Sequence, residues 1–316
     1  MLDSAKGFSV KKLAFKLLHS LGITLFAAWW NRKRVIFLCY HGVTKSDFRS
    51  PHNRKGLHVN RHRFLAHLDY LQRRYHVISL GDYLEARQAG RALPKYSVVL
   101  TFDDGFRNFL TVAAPCLAAR SMPATVFLIT DRTGDVHAAE SSHTWKLEDD
   151  TSYLSWEEVS RLKQGQNIEF GSHTCSHPQL LTLSLEETER ELQDSYNALV
   201  AHLKIEKLAL SYPKGEHSEI IADCARKLGY CCAVTADRGA SEFDHDLFTL
   251  GRTLVGDFDD ESSFAVRVSG LRWWLVKVQS ILDRPSTGKR QQAIATIPHL
   301  ESEGNLKKEM EDQSLA

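Results

Sequence analysis

Two short clusters of polar residues contain the side chains that could carry out chemistry. Asp103 and Asp104 directly follow one apolar run, and His173 and His177 follow another. One carboxylate with two imidazoles forms a three-ligand set for a divalent metal that leaves coordination positions open, as metal-assisted hydrolysis requires. The remaining carboxylate is available as a general base. These residue types and their spacing predict an enzyme. The ordinary alternatives are a surface turn for the two aspartates and a helix face for the two histidines.

The elements that must position these side chains are short apolar strands alternating with helices, a pattern typical of a parallel sheet. At 316 residues the chain is long enough for a single α/β barrel. Parallel barrels carry their active sites at the carboxyl ends of the strands. The predicted strand ends are occupied by His41, Asp103, Asp104, His173, His177 and Pro213. The strand pattern and the reactive residues therefore agree.

The segment Thr101-Phe102-Asp103-Asp104-Gly105, followed by His173-Thr174-Cys175-Ser176-His177, resembles the polysaccharide deacetylases (the NodB-homology domain, carbohydrate esterase family four). The resemblance covers residues 35–255 and implies an irregular (β/α)7-type barrel. It implies that Asp104, His173 and His177 hold the metal and that Asp103 takes a proton from water. One carboxylate and two imidazoles suit Zn²⁺ first, and also Co²⁺ or Ni²⁺.

A further segment, Tyr212-Pro213-Lys214-Gly215, resembles the third motif of the family. The resemblance places Tyr212, Pro213 and Gly215 at the substrate. Many family members have an arginine ahead of this proline that orients the catalytic aspartate, and no arginine stands there in this chain. Two cations remain for that role, Arg252 and Lys214, and the ordinary alternative for Arg252 is a surface position.

The acid that protonates the departing amine stands near the carboxyl terminus in most family members, but residues 256–283 contain no histidine. Leu38-Cys39-Tyr40-His41 has the same strand-then-histidine form and resembles the rearranged order of exopolysaccharide deacetylases. In a closed barrel the last strand lies beside the first. The resemblance therefore implies that His41 is the acid, and the alternative is a histidine that only caps its strand. The other histidines, including His58 and His67, are expected on the surface or in loops.

Composition narrows the classes of partner. Forty basic and thirty-nine acidic side chains give a formal charge of +1, so no basic excess exists to neutralise a nucleic-acid backbone. The six cysteines form no metal-type CxxC pairs and lie mostly in apolar runs, which favours reduced core thiols. Compartment stays open between the cytoplasm, the inner face of a membrane, and export.

The predicted organisation has four parts: a basic and apolar helix with a linker (residues 1–34), the deacetylase domain (35–268), a carboxyl-terminal helix (269–285) and a disordered tail (286–316). Residues 11–34 are basic at both ends and include two adjacent tryptophans. This segment suits either peripheral contact with a membrane surface or packing on the outside of the barrel. A cleaved signal peptide is less favoured than either. The sequence assigns no oligomeric state.

The resemblance implies a metal-dependent hydrolase that removes N-acetyl groups from an amino-sugar polysaccharide, either an exopolysaccharide or a cell-envelope glycan. An acetylated glycan is the expected partner. Two alternatives stay open: an O-acetyl esterase of the xylan type on the same fold, and an inactive glycan-binding homologue.

Overall fold

The computed structural model describes residues 12–45, 56–134, 152–165, 167–236 and 246–271. The chain divides into two units, Met1–Trp273 and Trp274–Ala316, and all of the described residues belong to the first. The predicted carboxyl-terminal helix beyond Leu271, the predicted tail and most of the long loop before residue 152 lie outside the described residues. The predicted domain boundaries therefore stay predictions.

The strands are β1 (Ile36–Tyr40), β2 (Val43–Thr44), β3 (Val59–Asn60), β4 (His76–Ile78), β5 (Ser97–Phe102), β6 (Ala124–Leu128), β7 (Ile168–Ser172), β8 (Ala209–Ser211), β9 (Cys232–Val234) and β10 (Arg252–Leu254). Seven of them form a parallel sheet in the order β10-β1-β5-β6-β7-β8-β9. Strand β4 pairs with the first half of β5, and β2 pairs with β3 separately.

The sheet nearly closes into a barrel. Val234 in β9 forms a parallel bridge with Leu250, which stands two residues before β10. The N–H of Thr235 donates to the carbonyl oxygen of Leu250 at 2.8 Å. Since β10 pairs with β1 on its other side, the two ends of the sheet meet there. The predicted (β/α)7-type barrel is confirmed, although the three-residue β10 was not predicted because so short a strand has no periodic signal.

The helices are α1 (Lys12–Ser20), α2 (Ile23–Trp30), α3 (Arg61–Arg74), α4 (Leu80–Gln88), α5 (Ala114–Ala118), α6 (Trp156–Gln164), α7 (Leu185–Leu203), α8 (Glu219–Lys227) and α9 (Glu261–Val268). Serines 79, 155 and 184 cap α4, α6 and α7, each in a reciprocal box with an acidic residue three positions on. Short 3-10 turns occupy Leu180–Thr182 and Pro213–Gly215.

The helical segment between β5 and β6 is not a continuous α-helix. It is a π-helix, Phe109–Ala113, followed directly by the short helix α5. Pro115 lies at the start of α5 and has no N–H to donate to the preceding turn. A wider helical turn ahead of the proline accommodates that missing hydrogen bond.

Both faces of the parallel strands are covered, and β1, β5 and β6 are buried along their whole length. His67 was expected on the surface, but it lies in the core, where its ring stacks on Phe264 at 4.1 Å between centroids. Its ring nitrogens contact the Tyr40 hydroxyl and the Asp259 carbonyl oxygen. Among the described helices none is long and apolar enough by itself to cross a membrane; α1 and α2 reach that length and composition together, with a 75° bend between them.

Candidate active site at the carboxyl ends of the strands

The Asp103 carboxylate lies directly after β5, buried and paired with a buried arginine. Nη1 and Nη2 of Arg252 donate to its two oxygens at 2.7 Å each. The same guanidinium donates to the hydroxyls of Thr101 and Ser211 and, through Nε, to the Thr235 carbonyl oxygen at 2.8 Å. Burial raises the pKa of Asp103, but the charges of Arg252 and His173 outweigh it and hold that pKa well below its usual range.

This geometry decides between the two cations that the sequence offered. Arg252 is buried in the barrel and not on its surface. Lys214 is exposed, and its Nζ donates to Gln179 Oε1 at 3.0 Å. Of the two cations, Arg252 is therefore the one that contacts Asp103. Ser211 was not predicted as a site residue; it stands in β8, where its hydroxyl also donates to Asp103 at 3.3 Å.

Asp104, His173 and His177 come together as a cluster whose ligand atoms all lie within 4.8 Å of one another. Oδ1 of Asp104 is 3.5 Å from His173 Nε2 and 3.8 Å from His177 Nε2. His173 is buried, whereas the other two side chains are partly open to solvent. The cluster therefore has one enclosed side and one side that water or a substrate can reach.

The backbone around the cluster is held in an uncommon conformation. Asp104 has φ 73°, Thr174 has φ 66° and His177 has φ 65°. Positive φ at residues other than glycine costs about 1–3 kcal/mol each and persists only where surrounding contacts impose it. Here Glu191 on α7 imposes it in part, because it accepts the N–H groups of Cys175 at 3.1 Å and Ser176 at 2.9 Å.

The donor set and its orientation fit a divalent metal. Nδ1 of His173 lies 2.8 Å from the Ser211 carbonyl oxygen, so it carries the proton and leaves Nε2 free to face Asp104. An ion with ligand bonds of about 2.1 Å separates its ligands by roughly 3–3.5 Å, close to the observed spacing. Cys175 lies outside this set, since its thiol contacts Asp131 at 2.9 Å.

His41 follows β1 and lies close to Asp103. A ring nitrogen of His41, the Cys39 sulfur and an Asp103 oxygen lie within 4.8 Å of one another. Nδ1 of His41 is buried and has no hydrogen-bond partner among the described residues. Burial lowers the pKa of His41, and the charges of Asp104 and Asp103 oppose that shift. A ring nitrogen of His41 therefore lies within 4.8 Å of an oxygen of the candidate base.

An aromatic wall, formed by His58, Phe106 and Tyr153, stands beside the cluster. Phe106 and Tyr153 form an antiparallel bridge, and their rings stack at 5.2 Å. The ring of His58 packs on Phe106 at 4.7 Å, and Arg132 Nη1 donates to the Tyr153 hydroxyl at 2.5 Å. Burial raises the pKa of Tyr153, Arg132 lowers it, and Asp104 raises it further, so the wall lies within electrostatic range of the cluster.

His58 is a site residue that the sequence did not predict. Burial and, to a smaller extent, the charge of His41 lower its pKa to about 4. The amide of Asn108 lies 3.2 Å from its Nδ1. The residues around position 58 showed no periodic pattern, so only the fold brings this histidine from an apparent loop to the site.

The third motif forms part of the barrel wall. Tyr212 is fully buried, and its hydroxyl donates to the Phe248 carbonyl oxygen at 3.2 Å while its ring stacks on His217. Its N–H donates to Val234, so neither its hydroxyl nor its N–H is available to a substrate. The prediction of Tyr212 as a direct substrate contact is therefore corrected, because the side chain points into the wall.

Pro213 and Gly215 lie at the carboxyl end of β8 and are both buried. Gly215 has φ 75°, and a Cβ there would stand 2.2 Å from the Ala236 nitrogen, so this position accepts only glycine. Since Pro213 has no N–H, the next backbone donor along this turn belongs to Lys214. Pro213 and Gly215 therefore shape the turn that presents this N–H.

Comparison with known proteins agrees with this geometry. Residues 90–233 match the family model described as polysaccharide deacetylase. The Bacillus subtilis (strain 168) protein YxkH, whose name assigns it provisionally to the polysaccharide deacetylases, is 25% identical over 236 residues, which cover 74% of this chain and 76% of YxkH. The poly-beta-1,6-N-acetyl-D-glucosamine N-deacetylase of Escherichia coli (strain K12) is 24% identical over 225 residues; the match covers 61% of this chain and 33% of that enzyme.

Among solved structures, the Streptococcus pyogenes deacetylase PplD in complex with acetate matches with a TM-score of 0.63 and 25% identity, covering 74% of this chain and 98% of PplD. The chain therefore contains a polysaccharide deacetylase domain, and it is a hydrolase of that class. The predicted family, fold and enzyme class are confirmed, whereas the roles of the individual residues stay predictions.

Proposed function

We propose that this enzyme removes N-acetyl groups from an amino-sugar polysaccharide of the exopolysaccharide or cell-envelope kind. The observation that carries the proposal is the position of Asp103, an ionised carboxylate held by Arg252 beside the cluster of Asp104, His173 and His177. The name of the Escherichia coli relative supports an N-acetylated glucosamine polymer as the substrate. Retention of the base and of all three ligands argues against an inactive binding protein.

A divalent ion would be held by the carboxylate of Asp104 and the Nε2 atoms of His173 and His177. When bound, such an ion supplies Lewis-acid polarisation of the acetyl carbonyl and of the attacking water. The residues fit Zn²⁺ and also Co²⁺ or Ni²⁺, because all three accept one carboxylate with two imidazoles.

The proton transfers are assigned to Asp103 and His41. Asp103 accepts a proton from the attacking water. Among the described residues its Oδ1 accepts from Arg252 alone, which leaves a lone pair there, whereas Oδ2 also accepts from Ser211 and Cys39. As the carbon–nitrogen bond breaks, His41 donates a proton to the departing amine. Water adds to the acetyl carbon, so the products are acetate and a free amino sugar.

The negative charge that develops on the acetyl oxygen requires a donor placed in advance. The N–H of Lys214 is the candidate, since Lys214 has φ 58° in a turn fixed by Pro213 and Gly215. The aromatic wall supplies a surface on which a sugar ring can pack, because pyranose rings present an apolar face of C–H groups to aromatic rings.

The test is metal content per chain, measured together with acetate release from N-acetylglucosamine oligomers before and after chelation. We expect about one metal per chain and release that stops on chelation and returns on adding Zn²⁺ or Co²⁺. The Asp103→Asn variant should keep the metal and lose turnover, whereas His173→Ala should lose both.

Three outcomes would count against the proposal. Near-normal turnover by Asp103→Asn would remove the assigned base. Absence of metal after reconstitution would remove the ligand set. Release of acetate from acetylated xylan, with none from N-acetylglucosamine oligomers, would replace the amide substrate by an ester.

A further inference from the structure

We propose that helices α1 and α2 form a docking face that binds the surface of a membrane containing anionic lipids. Four leucines along these helices and the turn between them are exposed: Leu13, Leu17, Leu21 and Leu25. Phe26, Trp29 and Trp30 extend the same exposed surface, and all seven side chains are 44–70% exposed. These seven residues are defined here as the docking face.

This exposure is concentrated in one segment. Across the described residues, three other large apolar side chains are this exposed: Leu181 before α7, Leu185 at the start of α7 and Ile220 in α8. Contiguous exposed apolar surface marks a site of interaction, whereas single exposed apolar side chains are ordinary. The docking face is therefore a candidate site of interaction with another surface.

The four leucines follow a regular spacing of four residues. Residues four apart lie on the same face of a helix, so Leu13 and Leu17 form a row along α1. Leu21 and Leu25 continue the spacing past Gly22, whose φ of 72° allows the 75° bend between the helices. The pattern therefore spans both helices.

The opposite side of α2 is fixed to the barrel domain. Thr24 and Ala27 are buried, and Asn31 Nδ2 donates to the Ser269 carbonyl oxygen at 2.9 Å. His19 Nδ1 lies 2.9 Å from Thr24 Oγ1 and ties α1 to α2. A surface helix of a water-soluble protein buries its large apolar residues; α2 instead buries small and polar ones and exposes its large apolar ones.

The charge of the segment selects the partner. Residues 11–34 contain six lysines and arginines and no aspartate or glutamate, which gives +6 against a formal charge of +1 for the whole chain. The exposed Lys33 follows the tryptophan pair, and the Arg32 guanidinium lies 4.4 Å from the Trp29 ring centroid. Tryptophans with adjacent cations suit the headgroup region of an anionic bilayer.

The lengths of the helices favour lying on the bilayer over crossing it. Helix α2 has eight residues and is therefore about 12 Å long, whereas the hydrocarbon core is about 30 Å thick. The basic residues at both ends of the segment would remain at the headgroups of one leaflet. Since α2 precedes the amino end of β1 and the site lies at its carboxyl end, docking leaves the site open to a polymer.

Vesicle flotation of the full chain tests this proposal. We expect the protein to float with vesicles of phosphatidylcholine and phosphatidylglycerol, and less with phosphatidylcholine alone. Phe26→Ser and Trp29→Ser should each weaken binding about tenfold, the effect of exposing one large apolar side chain. Lys33→Glu should weaken binding to the anionic vesicles alone. Leu181→Ser, at an exposed leucine outside the docking face, is the matched control and should bind normally.

Thermal unfolding and turnover of soluble oligomers should be unchanged in all four variants, which separates lost docking from lost folding and from the proposed function. Absence of flotation by the wild-type chain would overturn the proposal, and so would an equal loss in Leu181→Ser. A dimer in solution that Trp29→Ser dissociates, without vesicle binding, would assign the face to a second copy. Retention on the vesicles through alkaline carbonate extraction would indicate insertion across the bilayer.

Discussion

Arg252 holds both oxygens of Asp103 at 2.7 Å, although 149 residues separate the two in sequence. The pair is buried, and the guanidinium also reaches hydroxyls on β5 and β8. A salt bridge in such a place stabilises little beyond the cost of its own desolvation, but loss of one partner leaves a charge buried and unpaired. The pair therefore fixes the position of the candidate base, and it does so by joining three strands.

Arg252→Gln should lower both activity and stability. We expect kcat to fall about 100-fold, since a displaced base loses its alignment with water. The free energy of unfolding should fall by roughly 3–5 kcal/mol, because Asp103 remains buried without its partner. Acetate release and urea unfolding measure the two effects.

Arg267→Gln is the matched control for this prediction. Arg267 forms the other buried arginine–aspartate pair of the described residues, with Nε 2.5 Å from Asp259 Oδ1. Its loss should reduce stability to a similar extent and leave kcat within about twofold of wild type once folded protein is compared. An equal fall in kcat for both variants would show that Arg252 acts through folding alone.

His41→Gln should lower kcat by about 10²–10⁴-fold and leave the metal content unchanged, because general acid catalysis contributes that range. His58→Gln provides the comparison, since His58 lies close enough for the charge of His41 to lower its pKa. We expect the His58 variant to change kcat much less. A larger loss in His58→Gln than in His41→Gln would move the acid to His58.

Tyr153→Ala should raise KM for N-acetylglucosamine oligomers about fivefold with little change in kcat, because the ring contacts sugar away from the reacting bond. Tyr153→Phe keeps the stacking on Phe106 and loses the hydrogen bond from Arg132. Steady-state kinetics on oligomers of increasing length should show a normal KM for the phenylalanine variant. A raised KM in Tyr153→Phe would assign recognition to the hydroxyl and Arg132 instead.

His67 should make the fold sensitive to acid. Burial lowers its pKa to about 4 in the folded protein, against about 6.5 when unfolded. Between these values the unfolded state binds more protons, so stability falls as pH falls below 6.5 and levels off near 4. The full shift corresponds to roughly 3 kcal/mol.

Urea unfolding at pH 7, 6 and 5 measures this loss. His67→Gln has no proton to gain at this position and should show a shallower decrease over the same range. Its stability at pH 7 should be lower than wild type, since the stacking on Phe264 and the contact with Asp259 are weakened. Parallel curves for the two proteins would assign the acid sensitivity to other groups.

The sequence was sufficient to locate the candidate ligands and the candidate base because their signals are local. Asp103 with Asp104, and His173 with His177, are close in sequence and stand at the ends of recognisable apolar strands. The carboxyl ends of neighbouring parallel strands meet at one rim, so placing the strands places these side chains together. The family resemblance added their roles and the barrel.

Other features depended on contacts between distant parts of the chain. The choice of Arg252 over Lys214 follows from the closure of the barrel through a three-residue strand. His58 and Ser211 belong to no recognisable motif. Tyr212 belongs to one, but its hydrogen bonds to Phe248 and Val234 leave neither its hydroxyl nor its N–H available to a substrate. A pattern of residue types cannot show which way a side chain at a strand end points.

The amino-terminal segment shows the same division. Its sequence determined that residues 11–34 are basic and apolar, which left packing on the barrel and contact with a membrane as alternatives. The tertiary structure decided that α2 packs through Thr24 and Ala27 and turns Phe26 and Trp29 outward. The sequence determines which residues are apolar, but the side that is buried depends on which neighbouring surface the helix fits, and that surface forms only when the barrel folds.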